Sequence, residues 1–304
     1  MSKTKMSHLG TFRSRSTGDK VFLLIVYILV IFAVCITLYP FVYVVSVAFS
    51  DAKAVSRGEV FLLPVGLDLE AFQMVMQYDQ LWVSYRNTFF YTLFGTICNL
   101  IFSCLAAYPL SRHHFFMRKK LNFFLAFTMY FSGGLIPAYM VVTGIGLYNS
   151  PLVMIIPHLV SAYNVMILRS AMESISEELF ECGKLEGAND FTLLTKIAIP
   201  LSKPTLAVLG LYYAVARYND FFTGMLYLSK QELQPLQMFL RRILIIASTE
   251  ILQNAGITDR AAAAQSTMKI RYVCIVLATV PILCICPFVQ KYLVKGTMLG
   301  AVKG

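Results

Sequence analysis

The chain has 304 residues, of which 58% are hydrophobic and 14% charged, and its formal net charge is +10. Soluble domains carry about 25% charged residues, so this composition excludes an ordinary soluble protein and indicates a membrane protein. The seven cysteines are odd in number and include no CxxC pair, so they predict apolar, buried thiols and neither a disulfide framework nor a zinc site.

Long uncharged runs divide the chain into membrane-spanning segments. No Asp, Glu, Lys or Arg occurs in 21–50, 87–111 or 121–168. A helix rises about 1.5 Å per residue and needs about 20 residues to cross a hydrocarbon core, so the last run must hold two helices. Together with two later apolar stretches, these runs predict an all-α polytopic membrane protein whose transmembrane domain covers 21–294. The six predicted spans are 21–48, 87–110, 122–142, 152–171, 204–228 and 272–290.

The distribution of basic residues predicts the orientation. Lys and Arg crowd the tail 1–20 and the loop 112–120, whereas acidic residues outnumber basic ones in 51–83. Because cytoplasmic loops carry the excess of Lys and Arg, both termini are predicted to be cytoplasmic, including the tail 295–304. The segment 229–271 is basic although this topology places it on the extracytoplasmic side. The preference of basic residues for the cytoplasmic side weakens in long loops.

The loop 172–203 is then also cytoplasmic, and its pattern predicts a helical hairpin. Ser174 and Glu177 have the spacing of a capping box that opens a first short helix. Gly187 stands where a left-handed residue ends that helix, and Asn189 or Asp190 can cap a second one. The loop could lie on lipid headgroups or dock onto a protein. Its excess of acidic residues favours a protein, because helices that lie on anionic lipid are basic.

One motif in this loop resembles a known family. Residues 181–200 read E-C-G-x3-G-x9-I-A-I-P, which resembles the "EAA" loop of ABC importer permeases, E-A-A-x3-G-x9-I-x-L-P. Cys182 and Gly183 replace the two alanines, and Ile199 replaces the leucine. Gly183 weakens a helix by about 0.5–1 kcal/mol relative to alanine. The residues that the resemblance assigns to coupling with an ATPase are Glu181, Cys182, Gly183, Gly187, Ile197 and Pro200.

Other runs resemble the carbohydrate branch of this family. The ending KYLVKGTMLGAVKG is similar to the C-terminus of the smaller maltose-importer permease subunit. The runs FTMYFSGGLIPAYM, AAYPLSR and PLQMFLRRIL resemble permeases that handle complex oligosaccharides. The resemblance implies a bacterial inner-membrane permease that forms half of a translocation path for a sugar or oligosaccharide. The resemblance also implies that 229–271 has an external part that meets the binding protein, and its amphipathic stretch could in addition form a helix that lies flat on the membrane.

The resemblance also implies partner chains. The sequence contains no G-x4-GK[ST] phosphate loop, so this chain is expected to be a non-catalytic subunit. ATP and Mg would be bound by a partner ATPase dimer, and this chain would bind no cofactor or metal of its own. The other expected partners are a second permease, giving a heterodimer, an extracytoplasmic solute-binding protein, the sugar and the lipid membrane, with no nucleic acid.

Polar residues inside the spans are candidates for the translocation path. A charge in a span costs about 2.5–3.5 kcal/mol on insertion scales and needs a reason. Arg217 and Asp220, three residues apart, could form an ion pair within the fifth span or could belong to a polar wall, and both interpretations stay open. Asn164 in the fourth span, with Ser161 and Tyr163, could face the same path. The candidate path residues are Tyr212, Tyr213, Arg217, Asn219, Asp220 and Asn164.

Three other functions compete with the interpretation as a sugar permease. An ABC permease for peptides or amino acids would share the loop motif. A secondary transporter would need inverted repeats and buried carboxylates for ion coupling, and Asp220 is the only acid within a predicted span. A membrane enzyme would need a nucleophile–base pair or a metal cluster, and none is evident in the sequence.

Overall fold

A computed structural model gives the fold and describes residues 17–243, 245 and 269–284. The described residues are mostly helical, and the one β-bridge among them joins Ser50 to Leu67. This agrees with the predicted all-α class. Two compact units divide the chain, one formed by 1–72 and 251–276 and the other by 73–250 and 277–304. The predicted tail 295–304, most of the tail 1–20 and most of 244–268 lie outside the described residues.

The first unit is built on a long apolar helix. α1 (Thr17–Phe49) is followed by the short α2 (Ala52–Ser56) and the start of α3 (Glu70–Met76). Val47, Ala54 and Val60 form a small buried cluster at the end of α1. The side chains of α1 that precede this end are almost all exposed, so a helix with no polar face presents its apolar surface outward.

The second unit contains most of the helices. Their bounds are α4 (Asp79–Ser111), α5 (Arg118–Tyr130), α6 (Leu135–Gly144), α7 (Ala162–Glu173), α8 (Glu177–Leu185), α9 (Asp190–Leu193), α10 (Ile199–Leu201), α11 (Lys203–Tyr218) and α12 (Phe222–Tyr227). A π-helical turn, Leu194–Ala198, joins α9 to α10, and 3-10 turns occupy Pro151–Met154, Ile156–His158 and Gln231–Leu233. Residues 236–243 and 269–284 are also helical.

The core of the second unit lies between α4, α7 and α11. Leu168 and Met172 of α7, Leu209 of α11 and Ala107 of α4 are completely buried there. Phe180 of α8 belongs to the same cluster and is 1% exposed. The loop 172–203 is therefore packed into the end of the helical core through one aromatic side chain.

Several of the predicted spans are bent. Two helices, Gly18–Phe49 and Asp79–Ser111, are long and apolar enough to cross a membrane, and the number rises to five if each of three bent pairs is one span. α5 and α6 meet at 114°, so the predicted span 122–142 is broken at Gly133-Gly134, where Gly134 has φ +84. The predicted span 272–290 is helical to residue 284 and then leaves the described residues. The count of six spans stays a prediction.

Candidate functional site

The loop 172–203 forms the predicted helical hairpin. α8 ends in a turn at Gly187, whose φ of +83 favours glycine, and the Asn189 side chain caps α9 by accepting a hydrogen bond from the Thr192 N–H at 2.8 Å. The predicted capping box is wrong. Ser174 ends α7 and its hydroxyl donates back to the Ala171 carbonyl, while α8 begins after Ser176 without a side-chain cap.

The two arms of the hairpin touch at Gly183. A Cβ atom at this position would lie 2.6 Å from Cδ2 of Leu193 and 3.4 Å from Cδ1 of Ile197. The glycine that weakens α8 therefore also permits a close approach of the second arm. That arm widens into its π-helical turn just before Pro200, whose ring would otherwise clash with the carbonyl of Lys196.

The predicted coupling residues differ in exposure. Glu181, Cys182 and Gly187 are exposed, whereas Gly183, Ile197 and Pro200 are half-buried. At the tip of the hairpin, Leu185 and Phe191 are 89% and 67% exposed. The tip thus offers two large apolar side chains surrounded by charged ones, which is a surface suited to a partner with an apolar recess.

A cationic side chain that the sequence analysis did not single out anchors the hairpin to the bundle. Arg112, at the end of α4, is 9% exposed and forms an ion pair with Glu177 at 3.1 Å. Its guanidinium also donates to the Met172 carbonyl at 2.5 Å and lies 3.8 Å from the centroid of the Phe180 ring. One side chain therefore contacts α7 and α8 at the same time.

A second ionic cluster lies beside it. Glu173 accepts hydrogen bonds from Arg169 at 2.5 Å and from Arg118, which also contacts Nδ1 of His113 at 2.8 Å. Burial by itself raises the pKa of Glu173, but the bonds and charges of Arg169 and Arg118 outweigh it and hold that pKa below its usual range. The cluster ties the start of α5 to the end of α7.

Polar residues of the fourth and fifth predicted spans line one cavity of about 550 Å³. Five of the six candidate path residues lie on its wall, namely Asn164, Tyr212, Tyr213, Arg217 and Asp220. Ser161, predicted to face the path with Asn164, lies there too, whereas Tyr163 is not among the lining residues. The wall also contains five residues that were not predicted: His158, Val160, Ala216, Phe222 and Thr223. Asn219 is not among the lining residues, and its amide donates to the Val215 carbonyl of its own helix.

The two tyrosines of α11 have different environments. Tyr213 is 5% exposed, and its hydroxyl lies 2.7 Å from the hydroxyl of Ser103 on α4. Tyr212 is 49% exposed. Tyr213 therefore contributes mainly to packing between α11 and α4, and Tyr212 is the more exposed of the two tyrosines that line the cavity.

An ion pair between Arg217 and Asp220 was one of the two arrangements that the sequence left open, the other being a polar wall. The described residues do not form this ion pair. Arg217 is 6% exposed and donates to Oδ1 of Asn99 and to main-chain carbonyls of residues 154–158. Asp220 instead accepts a hydrogen bond from the Thr223 N–H at 3.1 Å. The sequence analysis missed Asn99, although an uncharged polar residue within the second predicted span was a signal for it.

Comparison with known proteins places the chain among transport permeases, although no family model matches it. It is 34% identical over 286 residues to the polygalacturonan/rhamnogalacturonan transport system permease protein YtcP of Bacillus subtilis (strain 168), covering 94% of this chain and 99% of that protein. It is 25% identical to the melibiose/raffinose/stachyose import permease protein MelC of the same organism, over 92% of this chain and 96% of that protein.

Solved structures give the same result. A chain of a bacterial ABC transporter involved in the import of the acidic polysaccharide alginate superposes with a TM-score of 0.81 at 34% identity, covering 91% of this chain and 98% of that one. A chain from the alginate transporter in complex with its pentasaccharide-bound periplasmic protein shares the fold, with a TM-score of 0.52 at 16% identity. The chain belongs to the family of permease subunits of ABC importers for sugars and oligosaccharides.

Proposed function

We propose that this chain forms half of the translocation path of an ATP-driven oligosaccharide importer in the bacterial cytoplasmic membrane, with both termini on the cytoplasmic side. The observation that carries the proposal is the polar cavity between the fourth and fifth predicted spans. Amide, hydroxyl and tyrosine groups meet there, and these are the groups that hydrogen-bond and stack on sugars.

The hairpin of α8, α9 and α10 would be the coupling element. Its exposed tip can enter a recess of an ATPase subunit, and its base is fixed to α4 and α7 through Arg112 and Phe180. A push on the tip would therefore move the helices that line the cavity. Glu181 would contribute a charged contact, Gly187 the turn, and Pro200 the end of the second arm, which closes at Leu201.

The proposed assembly contains a second permease, an ATPase dimer that binds ATP and Mg, and an extracytoplasmic binding protein that delivers the sugar. The exposed apolar surface of α1 supports contacts with lipid and with the second permease. The alginate transporter in complex with its pentasaccharide-bound periplasmic protein offers a precedent for the binding protein, in a chain of the same fold.

The substrate class follows from the more similar relatives. YtcP is named for polygalacturonan and rhamnogalacturonan, and the 34% identical structure belongs to an importer of an acidic polysaccharide. We therefore propose oligosaccharides that contain uronic acids, ahead of neutral galactosides such as those in the name of MelC.

The test is reconstitution of the chain with its ATPase, second permease and binding protein in proteoliposomes. Oligogalacturonate, alginate oligosaccharide, raffinose and a short peptide are compared as probes for uptake and for stimulation of ATP hydrolysis. Stimulation by an acidic oligosaccharide supports the full proposal, and stimulation by raffinose alone changes only the substrate class. Uptake of the peptide, or uptake without ATP, contradicts the proposal.

A further inference from the structure

The fourth predicted span contains a break that exposes main-chain carbonyl groups. Residues 151–158 form two 3-10 turns, and α7 begins only at Ala162, so the pieces meet at 52°. Pro157 lacks an N–H group and clashes with the preceding turn of an α-helix, which explains the break, whereas Pro151 stands at the start of the first 3-10 turn, where proline is tolerated. Within a membrane the freed carbonyl groups need donors from elsewhere in the protein.

Two buried side chains of other helices supply those donors. Arg217 of α11 donates to the carbonyl oxygens of Met154 at 2.5 Å, Ile155 at 3.1 Å and His158 at 2.8 Å. Nδ2 of Asn99 on α4 donates to the carbonyl oxygens of His158 at 2.6 Å and Leu159 at 2.8 Å. Five hydrogen bonds from these two side chains thus reach four carbonyl groups that no continuous α-helix satisfies at the break.

The same two side chains also hold each other. Oδ1 of Asn99 accepts from Nε and Nη2 of Arg217 at 3.1 and 3.0 Å. Asn99 is completely buried. Gly95, one turn earlier on α4, leaves room for the arginine, because a Cβ atom there would lie 3.2 Å from Nε. The arginine therefore has a fitted place between α4, α11 and the broken segment.

We propose that Arg217 and Asn99 are positioning residues that hold the broken segment 151–160 and so fix the wall of the cavity. The wall includes His158, whose own carbonyl group accepts these hydrogen bonds. It also includes Val160 and Ser161, which come next in the chain after the bonded carbonyl group of Leu159. At least four of the five guanidinium N–H groups are engaged by protein acceptors, so Arg217 has little capacity left for a sugar. Its guanidinium binds main-chain carbonyl groups, and we expect the other residues of the cavity wall to contact the sugar.

The test is hydrogen–deuterium exchange of the assembled importer in nanodiscs, comparing wild type with R217K. Lysine keeps the charge but cannot reach several acceptors with a planar fork. We expect amides of 151–165 to exchange about ten-fold faster, the factor that corresponds to one lost hydrogen bond, while peptides from 203–216 are unchanged. The kcat of transport should fall, whereas KM should change little, because the binding protein determines the affinity for the sugar.

A second variant probes the same contact without removing a polar group. G95A places a methyl group against Nε of Arg217 and should reproduce the faster exchange in 151–165. The matched control is G210A on α11, where the added Cβ would meet Leu100 Cδ1 at an ordinary 3.5 Å. G95A decides the matter if R217K does not assemble.

Two results would overturn the inference. Unchanged exchange of 151–165 in the variants would mean that Arg217 does not hold the segment, whatever happens to transport. Faster exchange throughout the second unit would indicate general destabilisation. The exchange measurement needs no substrate, so the transport part alone rests on the proposed function, and failure of either can be recognised separately.

Discussion

The guanidinium of Arg112 lies over the ring of Phe180, with its carbon 3.8 Å from the ring centroid. The contact joins the end of α4 to the first helix of the hairpin, and the ion pair between Arg112 and Glu177 reinforces it. Because a stacked guanidinium and a largely buried ion pair act on the same helix, this contact can transmit force from the hairpin to the bundle.

Replacing Arg112 should uncouple ATP hydrolysis from transport. Arg112→Ala removes the stacking and the ion pair and should cost about 2 kcal/mol of local stability. We expect fewer sugar molecules transported per ATP, with the ATPase still bound. The measurement is the ratio of uptake to phosphate release in proteoliposomes.

The control for this prediction is Lys184→Ala, which removes an exposed cation from the same hairpin. Arg112→Lys should recover part of the ratio, because it keeps the charge but loses the planar stack. An unchanged ratio in Arg112→Ala would exclude this contact as a transmission element.

Restoring the family alanine at Gly183 should separate the arms of the hairpin. The new methyl group would overlap Leu193, which is completely packed at 1% exposure. Overpacking of this kind costs about 1–3 kcal/mol, which exceeds the gain in helix propensity. Gly183→Ala should therefore weaken docking of the ATPase, measured by co-purification.

The double variant with Leu193→Val tests the cause, because the shorter side chain relieves the overlap. Docking of the double variant should exceed that of Gly183→Ala alone, giving a favourable coupling energy in the mutant cycle. Equal docking in both would show that the contact between the arms is unimportant.

The turn at Gly187 makes a separate prediction. Its φ of +83 costs a side chain about 1 kcal/mol, less for asparagine, which tolerates left-handed backbone. Added atoms meet open space there, so the penalty is conformational alone. Gly187→Val should weaken binding of the ATPase, and Gly187→Asn should preserve most of it in a pull-down from membranes. Equal binding by both variants would contradict this account.

Some local features could be predicted from the sequence. Gly187 and Asn189 were identified because a turn and a cap depend on residues within one helical turn, although the same kind of argument failed for the capping box at Ser174. Polar residues of the cavity such as Asn164 and Arg217 were identified because polar side chains in apolar spans are conspicuous.

The partners of those side chains could not be deduced. Arg217 has an acidic residue three positions away in the sequence. Only the fold shows that its hydrogen-bond acceptors are Asn99 and main-chain carbonyl groups about sixty residues earlier. The role of Arg112 was hidden for the same reason, because it lies in a basic loop where charge suggests orientation and nothing more.

Tyr212 and Tyr213 should respond differently to mutation. Tyr212 is half exposed at the cavity, so Tyr212→Ala should lower the transport rate severalfold with little loss of stability. Tyr213→Phe removes a buried hydrogen bond to Ser103 and should cost about 1 kcal/mol of stability while leaving the transport rate nearly unchanged. Thermal unfolding and initial uptake rates measured on the same preparations separate the two effects. The reverse pattern would mean that Tyr213 faces the sugar.

In the first unit, the ion pair between Asp68 and Lys269 makes that unit sensitive to acid. The pKa of Asp68 lies below its ordinary value of 3.8, mainly because Lys269 donates a hydrogen bond to the carboxylate, with a further bond from the Glu70 N–H. A lowered folded-state pKa means that the carboxylate stabilises the fold fully above the unfolded pKa, and that this contribution is lost as pH falls through the folded value.

Since Lys269 is 2% exposed, Asp68→Asn leaves a buried cation without its anion and should cost about 2 kcal/mol near neutral pH. Wild type should then lose thermal stability below pH 3.8 more steeply than Asp68→Asn does. Unfolding curves recorded across that range test this, with Glu59→Gln as the control because the Arg57–Glu59 pair is long, at 3.8 Å, and exposed. Parallel loss of stability in wild type and Asp68→Asn would show that another carboxylate governs the acid response.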